Sequence, residues 1–253
     1  MKKNRLRTAA LYMFGILFLS SPVLAQDQDF DVISRHRPGF MWYYDGIKAP
    51  EAGQPRKYDR LIFDICYNDW QGTSVPMFEA SPRSIGMNVN TLFDVALNKK
   101  NTVSFGWGLS YGIYRQEMNY VIWANDSTQS THLNPGADKL GIDRSIFKFH
   151  SVSVPLELRF RGKNWKHVKL HLGGRVGFQF LPASVLVHKQ GKIVSIQKNR
   201  GLYDFNPIGA QAHVRLGIRN WALYGAYHIL PPFQASESTK VNLFQFGLSI
   251  SLF

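Results

Sequence analysis

The stretch Val103-Ser104-Phe105-Gly106-Trp107-Gly108-Leu109-Ser110-Tyr111-Gly112-Ile113-Tyr114 decides the fold. Val103, Phe105, Trp107, Leu109, Tyr111 and Ile113 are apolar or aromatic, and Ser104, Gly106, Gly108, Ser110 and Gly112 between them are small. Successive side chains of a β-strand point to opposite faces, so a period of two gives one greasy face and one slim face. In a soluble sandwich the second face is usually charged and solvated. Glycine and serine instead suit a narrow interior in which side chains share space.

The alternation recurs on both sides of this segment. Ile85, Met87, Val89, Phe93, Val95 and Leu97 alternate with Gly86, Asn88, Asn90 and Asp94. Val152, Val154, Leu156, Leu158 and Phe160 alternate with Ser151, Ser153, Glu157 and Arg159. Val168, Leu170, Leu172, Val176, Phe178 and Phe180 alternate with Lys169, His171, Gly173, Arg175, Gly177 and Gln179, and Ala210 to Ile218 with Gly209, Gln211, His213, Arg215 and Gly217. Leu61 to Trp70, Trp221 to Ile229 and Val241 to Phe253 fit less cleanly and bring the number of segments to eight.

Segments of about 10 residues with apolar and polar rows are the pattern of a transmembrane barrel. An open sheet would leave backbone polar groups unsatisfied in lipid, so the sheet must close. Eight strands enclose room for side chains only, which predicts a packed polar core. The connections agree. Short turns fall at Asn98 to Asn101, around Gly162 to Trp165, and at Arg219-Asn220; long connections fall at Gln71 to Pro82, Ala124 to Arg144, Pro182 to Pro207 and Pro231 to Lys240. The expected fold is therefore all-β: an eight-stranded antiparallel transmembrane β-barrel with short periplasmic turns and long extracellular loops. Trp165 and Trp221 stand at short turns, where an aromatic girdle belongs.

Residues 1–25 carry Lys2, Lys3, Arg5 and Arg7, then an apolar stretch from Ala9 to Leu19, then Val23-Leu24-Ala25. This is the pattern of a cleaved signal peptide, and it predicts export with a mature start at Gln26. Residues 26–59 are expected to form a periplasmic extension and residues 60–253 the barrel. Without residues 1–25, 26 of the 30 Lys+Arg remain against 17 Asp+Glu, a net charge of +9. For an exported chain this favours an anionic lipid surface over nucleic acid as a partner. No run of about 18 apolar residues follows Gln26, which excludes a transmembrane helix. Cys66 is the single cysteine, so no intrachain disulfide forms.

Few residues suggest chemistry. Gly108-Leu109-Ser110-Tyr111-Gly112 matches the G-x-S-x-G elbow, which requires a sharp strand-to-helix turn. It lies within the most regular strand pattern, and coincidence is the favoured reading. His171 and His213 fall on the inward rows with Asp64, Asp94 and Glu157, but spacing singles out no serine-histidine-acid trio. The expectation is a structural network in which these acids neutralise Arg159, Lys169, Arg175 and Arg215, because a charge buried alone is prohibitive. Cys66, beside Asp64, reads as a small core residue. No zinc spacing or phosphate-cradling glycine loop occurs, and no cofactor is expected.

The run Ser153-Val154-Pro155-Leu156-Glu157-Leu158, followed after a short turn by Leu170-His171-Leu172-Gly173-Gly174-Arg175-Val176-Gly177, resembles the PorT-like outer membrane β-barrel family of Bacteroidetes. The terminal Phe253 is similar to the last residue by which many outer membrane proteins are recognised for assembly. The resemblance spans roughly Leu61 to Phe253. It implies a non-enzymatic scaffold or accessory part of an envelope assembly, associated with type IX secretion and gliding. A narrow channel or small hydrophobic-ligand carrier, and a lipid-modifying enzyme, are the alternatives. The cluster Phe40-Met41-Trp42-Tyr43-Tyr44 is a candidate dock for an envelope partner, with packing against the barrel rim or lipid interface the favoured reading. Two departures stand out. Pro155 lacks an N–H and is expected to need a bulge or bend. Phe253 falls on the row of Ser249 and Ser251, opposite the greasy row of Phe244 to Leu252.

Overall fold

Eight antiparallel strands pair edge to edge into a closed ring. The computed structural model describes residues 60–72, 80–98, 101–135, 141–162, 168–190, 193–200 and 202–252. The strands in chain order are β1 (Leu61–Gln71), β2 (Ile85–Ala96), β3 (Val103–Met118), β4 (Tyr120–Asn125), β5 (Ser130–Pro135), β6 (Ile142–Arg161), β7 (Val168–Gln190), β8 (Ile193–Asn199), β9 (Ile208–Ile218), β10 (Trp221–His228) and β11 (Asn242–Ser251). The ring runs β1-β2-β3-β6-β7-β9-β10-β11 and closes where β11 pairs back onto β1, Ile65 opposite Leu248. Signal peptide, N-terminal extension, Lys99, Trp165 and Phe253 lie outside the described residues.

The two rows read from the sequence become the two faces of the wall. Leu109, Leu156, Leu172, Val176, Leu216, Leu223 and Leu248 are exposed outward. Asp64, Asn88, Asn90, Ser104, Ser110, Glu157, Arg159, His171, Arg175 and Arg215 point inward and are buried. A closed ring with an apolar outside and a polar inside is the arrangement of a transmembrane β-barrel, in which the backbone polar groups pair within the wall.

Two connections expected as loops are corrected. The connections Ala124 to Arg144 and Pro182 to Pro207 are structured: β4 and β5 form a separate hairpin, β6 begins at Ile142, and β7 runs on to Gln190 and pairs with β8. At about 3.3 Å per residue, the 20 residues of β6 reach roughly 66 Å along the strand, about twice the path across a 25 Å apolar band. Half of β6 and β7 therefore stands clear of the lipid at the end where the long connections gather, the loop end. No bulge occurs at Pro155, whose register with β7 is unbroken from Val154↔Val176 through Leu156↔Gly174. The β3–β6 ladder instead skips Pro155 and Val154 between Trp107↔Leu156 and Ser110↔Ser153, keeping its register. The missing N–H thus costs local ladder bonds without any shift. The irregularities fall higher, between Ile142/Arg144 and between Lys148/His150, where Leu181 takes a positive φ of 55° just before Pro182. That bulge lets β7 continue past a proline that reads as a breaker.

Candidate functional site

Toward the end where the short turns lie, the lumen is built from charge. Asp64 on β1 meets Arg215 on β9 from across the ring: Arg215 Nε donates to Oδ1 at 3.0 Å and Nη2 to Oδ2 at 2.8 Å. Ser249 Oγ and Asn90 Nδ2 donate to the same carboxylate at 2.6 and 2.8 Å, and Arg175 Nη2 stands 3.5 Å away. Arg215 Nη1 also donates to Glu157 on β6. Glu157 accepts from Arg159 Nε at 3.0 Å, His213 Nε2 lies 3.0 Å from its Oε1, and His171 Nδ1 lies 3.8 Å from its Oε2. Asp94 takes Arg159 Nη1 at 3.2 Å, Arg161 Nη2 at 2.8 Å and Ser104 Oγ at 2.8 Å.

This geometry is what burial demands. Each dehydrated charge costs several kcal/mol, recovered only with close partners and satisfied lone pairs. The bidentate fork of Arg215 on Asp64 is the strong form of such a contact. Arg175 leans on neutral partners as well, donating to Ser110 Oγ at 3.2 Å and Tyr224 Oη at 3.0 Å. Lys169 donates to Ser251 Oγ at 2.7 Å. The structure thus brings Asp64, Glu157, Arg159, Arg175 and Arg215 into one connected cluster, with Asp94 joined through Arg159. Lys169 sits on Ser251 nearer the turns. Arg161, Asn90, Ser104, Ser249 and Tyr224 complete the cluster without having been singled out in sequence. Arg161 continues the row of Glu157 and Arg159, so its place was readable.

Toward the loop end the lumen turns aromatic. Trp70, Tyr114, Met118, Phe147, Phe149 and Leu243 project from the wall strands into one buried cluster. Tyr114 stacks on Phe149 at 4.5 Å, and Trp70 meets Phe147 edge-on at 5.4 Å. Tyr120 and Ile122 of β4, Leu133 of β5, and Leu202 and Phe233 from the connections close over it. A polar clasp holds these pieces together. Asp204 accepts from Thr131 Oγ1 and Ser238 Oγ, and Ser238 Oγ takes the Thr131 N–H at 2.9 Å. The Asn125-to-Thr131 stretch, within the connection Ala124 to Arg144 expected as a long extracellular loop, is therefore the tip and arm of a hairpin, with Thr131 fully buried.

Between the two halves, a void lined by Tyr114, Ser151, Arg175, Gln179, Gln211 and His228 measures about 10 Å³, room for about one water. Ser110 of the elbow-like motif lies in mid-strand, buried, its Oγ held by Arg175. Cys66 is buried, its Sγ 3.9 Å from Asn88 Nδ2. Among the described residues no three of His, Cys, Asp and Glu gather as a metal site.

No family model and no curated protein matches the chain. Among solved structures it is similar to Ail, the attachment invasion locus protein of Yersinia pestis, solved in complex with the heparin analogue sucrose octasulfate. Identity is 11% over 75% of this chain and 95% of that one, with a TM-score of 0.34. Neisserial surface protein A is similar at 13% identity over 76% and 95%, with a TM-score of 0.35.

Proposed function

We propose that the chain is a non-enzymatic outer membrane barrel that works by contact, as a scaffold or accessory part of an envelope assembly. The observation that carries this reading is how the described residues fill the lumen: salt-bridged side chains in one half, an aromatic cluster in the other, and a void of about 10 Å³ between them. A barrel filled in this way offers its partners the outer wall and the structured loop end. The resemblance to PorT-like barrels makes type IX secretion and gliding the first assembly to test, with the short turns in the periplasm and the loop end outside the cell.

Fractionation and a pull-down test both levels of the reading. The chain is expected in the outer membrane fraction and, folded in detergent, to shift its gel mobility only after boiling. Recovery from the soluble periplasm with no heat-dependent shift defeats the barrel. A pull-down from native outer membranes is expected to bring down envelope proteins. Ion conductance by the purified barrel in planar bilayers, with no co-purifying protein, defeats the scaffold.

A further inference from the structure

The outward face of β6, β7 and β8 changes character in steps toward the loop end. Val152, Val154, Leu156 and Leu158 on β6, with Val176 and Phe178 on β7, are exposed and apolar. The nine residues Val152 to Phe160 cover about 23 Å of height at a 40° tilt, the depth of the apolar band. Rings come next. Tyr111 Oη lies 2.8 Å from His150 Nδ1, and Phe180 stacks on His150 at 5.9 Å.

Charge follows the rings. Lys148 pairs across to Ala183, Lys198 of β8 pairs with Val185, and Arg200 follows directly after β8. Lys198 lies close enough to feel both of the others: Arg200, and more weakly Lys148, holds the Lys198 ammonium below the ordinary lysine range. Between Ile142 and Arg200 the sequence has only Asp143 and Glu157; Asp143 pairs with Arg144 at 3.3 Å, and Glu157 is buried in the lumen. Every residue of β8 is exposed, and Val194 and Ile196 place 55% and 67% exposed apolar side chains beside the basic groups. Like charges assembled over a greasy strip fit a ligand with an anionic head and an apolar tail.

We propose that Lys148, Lys198 and Arg200 bind the phosphate-bearing headgroup of an anionic glycolipid of the outer leaflet, whose acyl chains lie on the apolar strip of β6 and β7. The inference rests on the reading that the barrel spans the outer membrane with its loop end outward. An acidic strand from a partner protein, adding to the open edge of β8, is the competing occupant. Direct continuity of the basic groups with the apolar band and its rings favours the lipid.

The test uses the full mature chain refolded in neutral detergent, with bisphosphorylated lipid A and its phosphate-free form as probes. Three proteins are compared: wild type, the triple variant Lys148→Gln, Lys198→Gln, Arg200→Gln, and the turn-end control Arg60→Gln, Arg219→Gln. A basic side chain near an anionic surface contributes about 1 kcal/mol, so the triple variant is expected to bind lipid A on the order of 100-fold more weakly, while the control matches wild type. The phosphate-free lipid is expected to bind wild type no better than the triple variant does. A triple variant that shows the heat-dependent shift of a folded barrel, yet binds lipid A as wild type does, overturns the site. So does equal binding of both lipid forms by wild type, or binding of an acidic strand-forming peptide in place of lipid A. Absence of the heat-dependent shift in wild type overturns the barrel reading and the site with it, an outcome distinct from a folded barrel indifferent to phosphate.

Discussion

The inward row of β3 reads Ser104, Gly106, Gly108, Ser110 and Gly112 toward the turn end, then Tyr114, Gln116 and Met118 toward the loop end. One strand thus lines two interiors filled by opposite means. In the first, the strand gives up its own side chains so that those of the neighbouring strands β6 and β2 fit: a Cβ on Gly106 would sit 2.6 Å from Arg159 Nε, and one on Gly112 would sit 2.7 Å from Asn88 Oδ1. In the second, β3 supplies bulk itself, and Tyr114 lies flat on Phe149. The charged half depends on bond direction, since a carboxylate loses its compensation if one partner leaves. The aromatic half depends on volume, since dispersion and burial have no single required partner.

The largest effect that separates the two halves is expected from Arg215→Leu. Arg215 holds Asp64 and Glu157 at once, and its loss leaves two buried carboxylates short of a cation. Removing one member of a buried pair costs about 3–5 kcal/mol. Arg175→Leu is expected to cost less, because Asp64 keeps the Arg215 fork and Arg175 spends its other bonds on Ser110 and Tyr224. Denaturant unfolding of the barrel in detergent measures both. Equal midpoints for Arg215→Leu and wild type, or a larger loss for Arg175→Leu, would break the claim that directed pairing governs this half.

Phe147→Ala tests the other half. Phe147 touches Trp70, Phe149, Phe205 and Phe233, and truncating a core phenylalanine costs about 3 kcal/mol. Here the loss is expected to stay local, because the β4–β5 hairpin and the connections over the cluster are held to each other by the Asp204 clasp and to the wall by this packing rather than through ring ladders. Protease is expected to cut near Asp126 to Gln129 at lower concentration than in wild type, while the heat-dependent gel shift of the ring is unchanged. A shift lost together with the hairpin would show that the two halves fold as one unit.

The same contrast sets what was legible in the sequence. The ring was legible because lipid enforces a period of two: each of the eight segments shows one row that water would reject. The lumenal charges Asp64, Asp94, Glu157, Arg159, Lys169, Arg175 and Arg215 were legible because they interrupt small or amide residues on the other row. The aromatic half was not. In Ile146-Phe147-Lys148-Phe149 both rows carry bulk or charge, since the inward side needs volume and the outward side faces water and headgroups, and the alternation that marks a strand disappears. Likewise Pro182 reads as a breaker, and only the Leu181 bulge reveals that β7 continues. Pairing itself, such as Asp64 with Arg215 across the lumen, is a property of closure that no local pattern encodes.

The gentlest perturbation decides which half faces the world. Cys66 is buried, so a bulky, membrane-impermeant maleimide has no native target on the folded chain. Two single replacements at exposed positions then report each end. Thr128→Cys lies at the tip of the β4–β5 hairpin, in the exposed run Asp126 to Gln129, whereas Thr131 is buried against Asp204 and is unsuitable. Arg219→Cys lies in the tight turn between β9 and β10, where the native residue has a φ of 54°. Surface changes of this kind shift stability by within about 0.5 kcal/mol. If the aromatic half is the outer one, intact cells label Thr128→Cys and leave Arg219→Cys untouched until the outer membrane is permeabilised. The reverse pattern would turn the barrel over. It would set the basic groups around Lys198 against the periplasmic leaflet, and the charged half would then be the one that meets the outside.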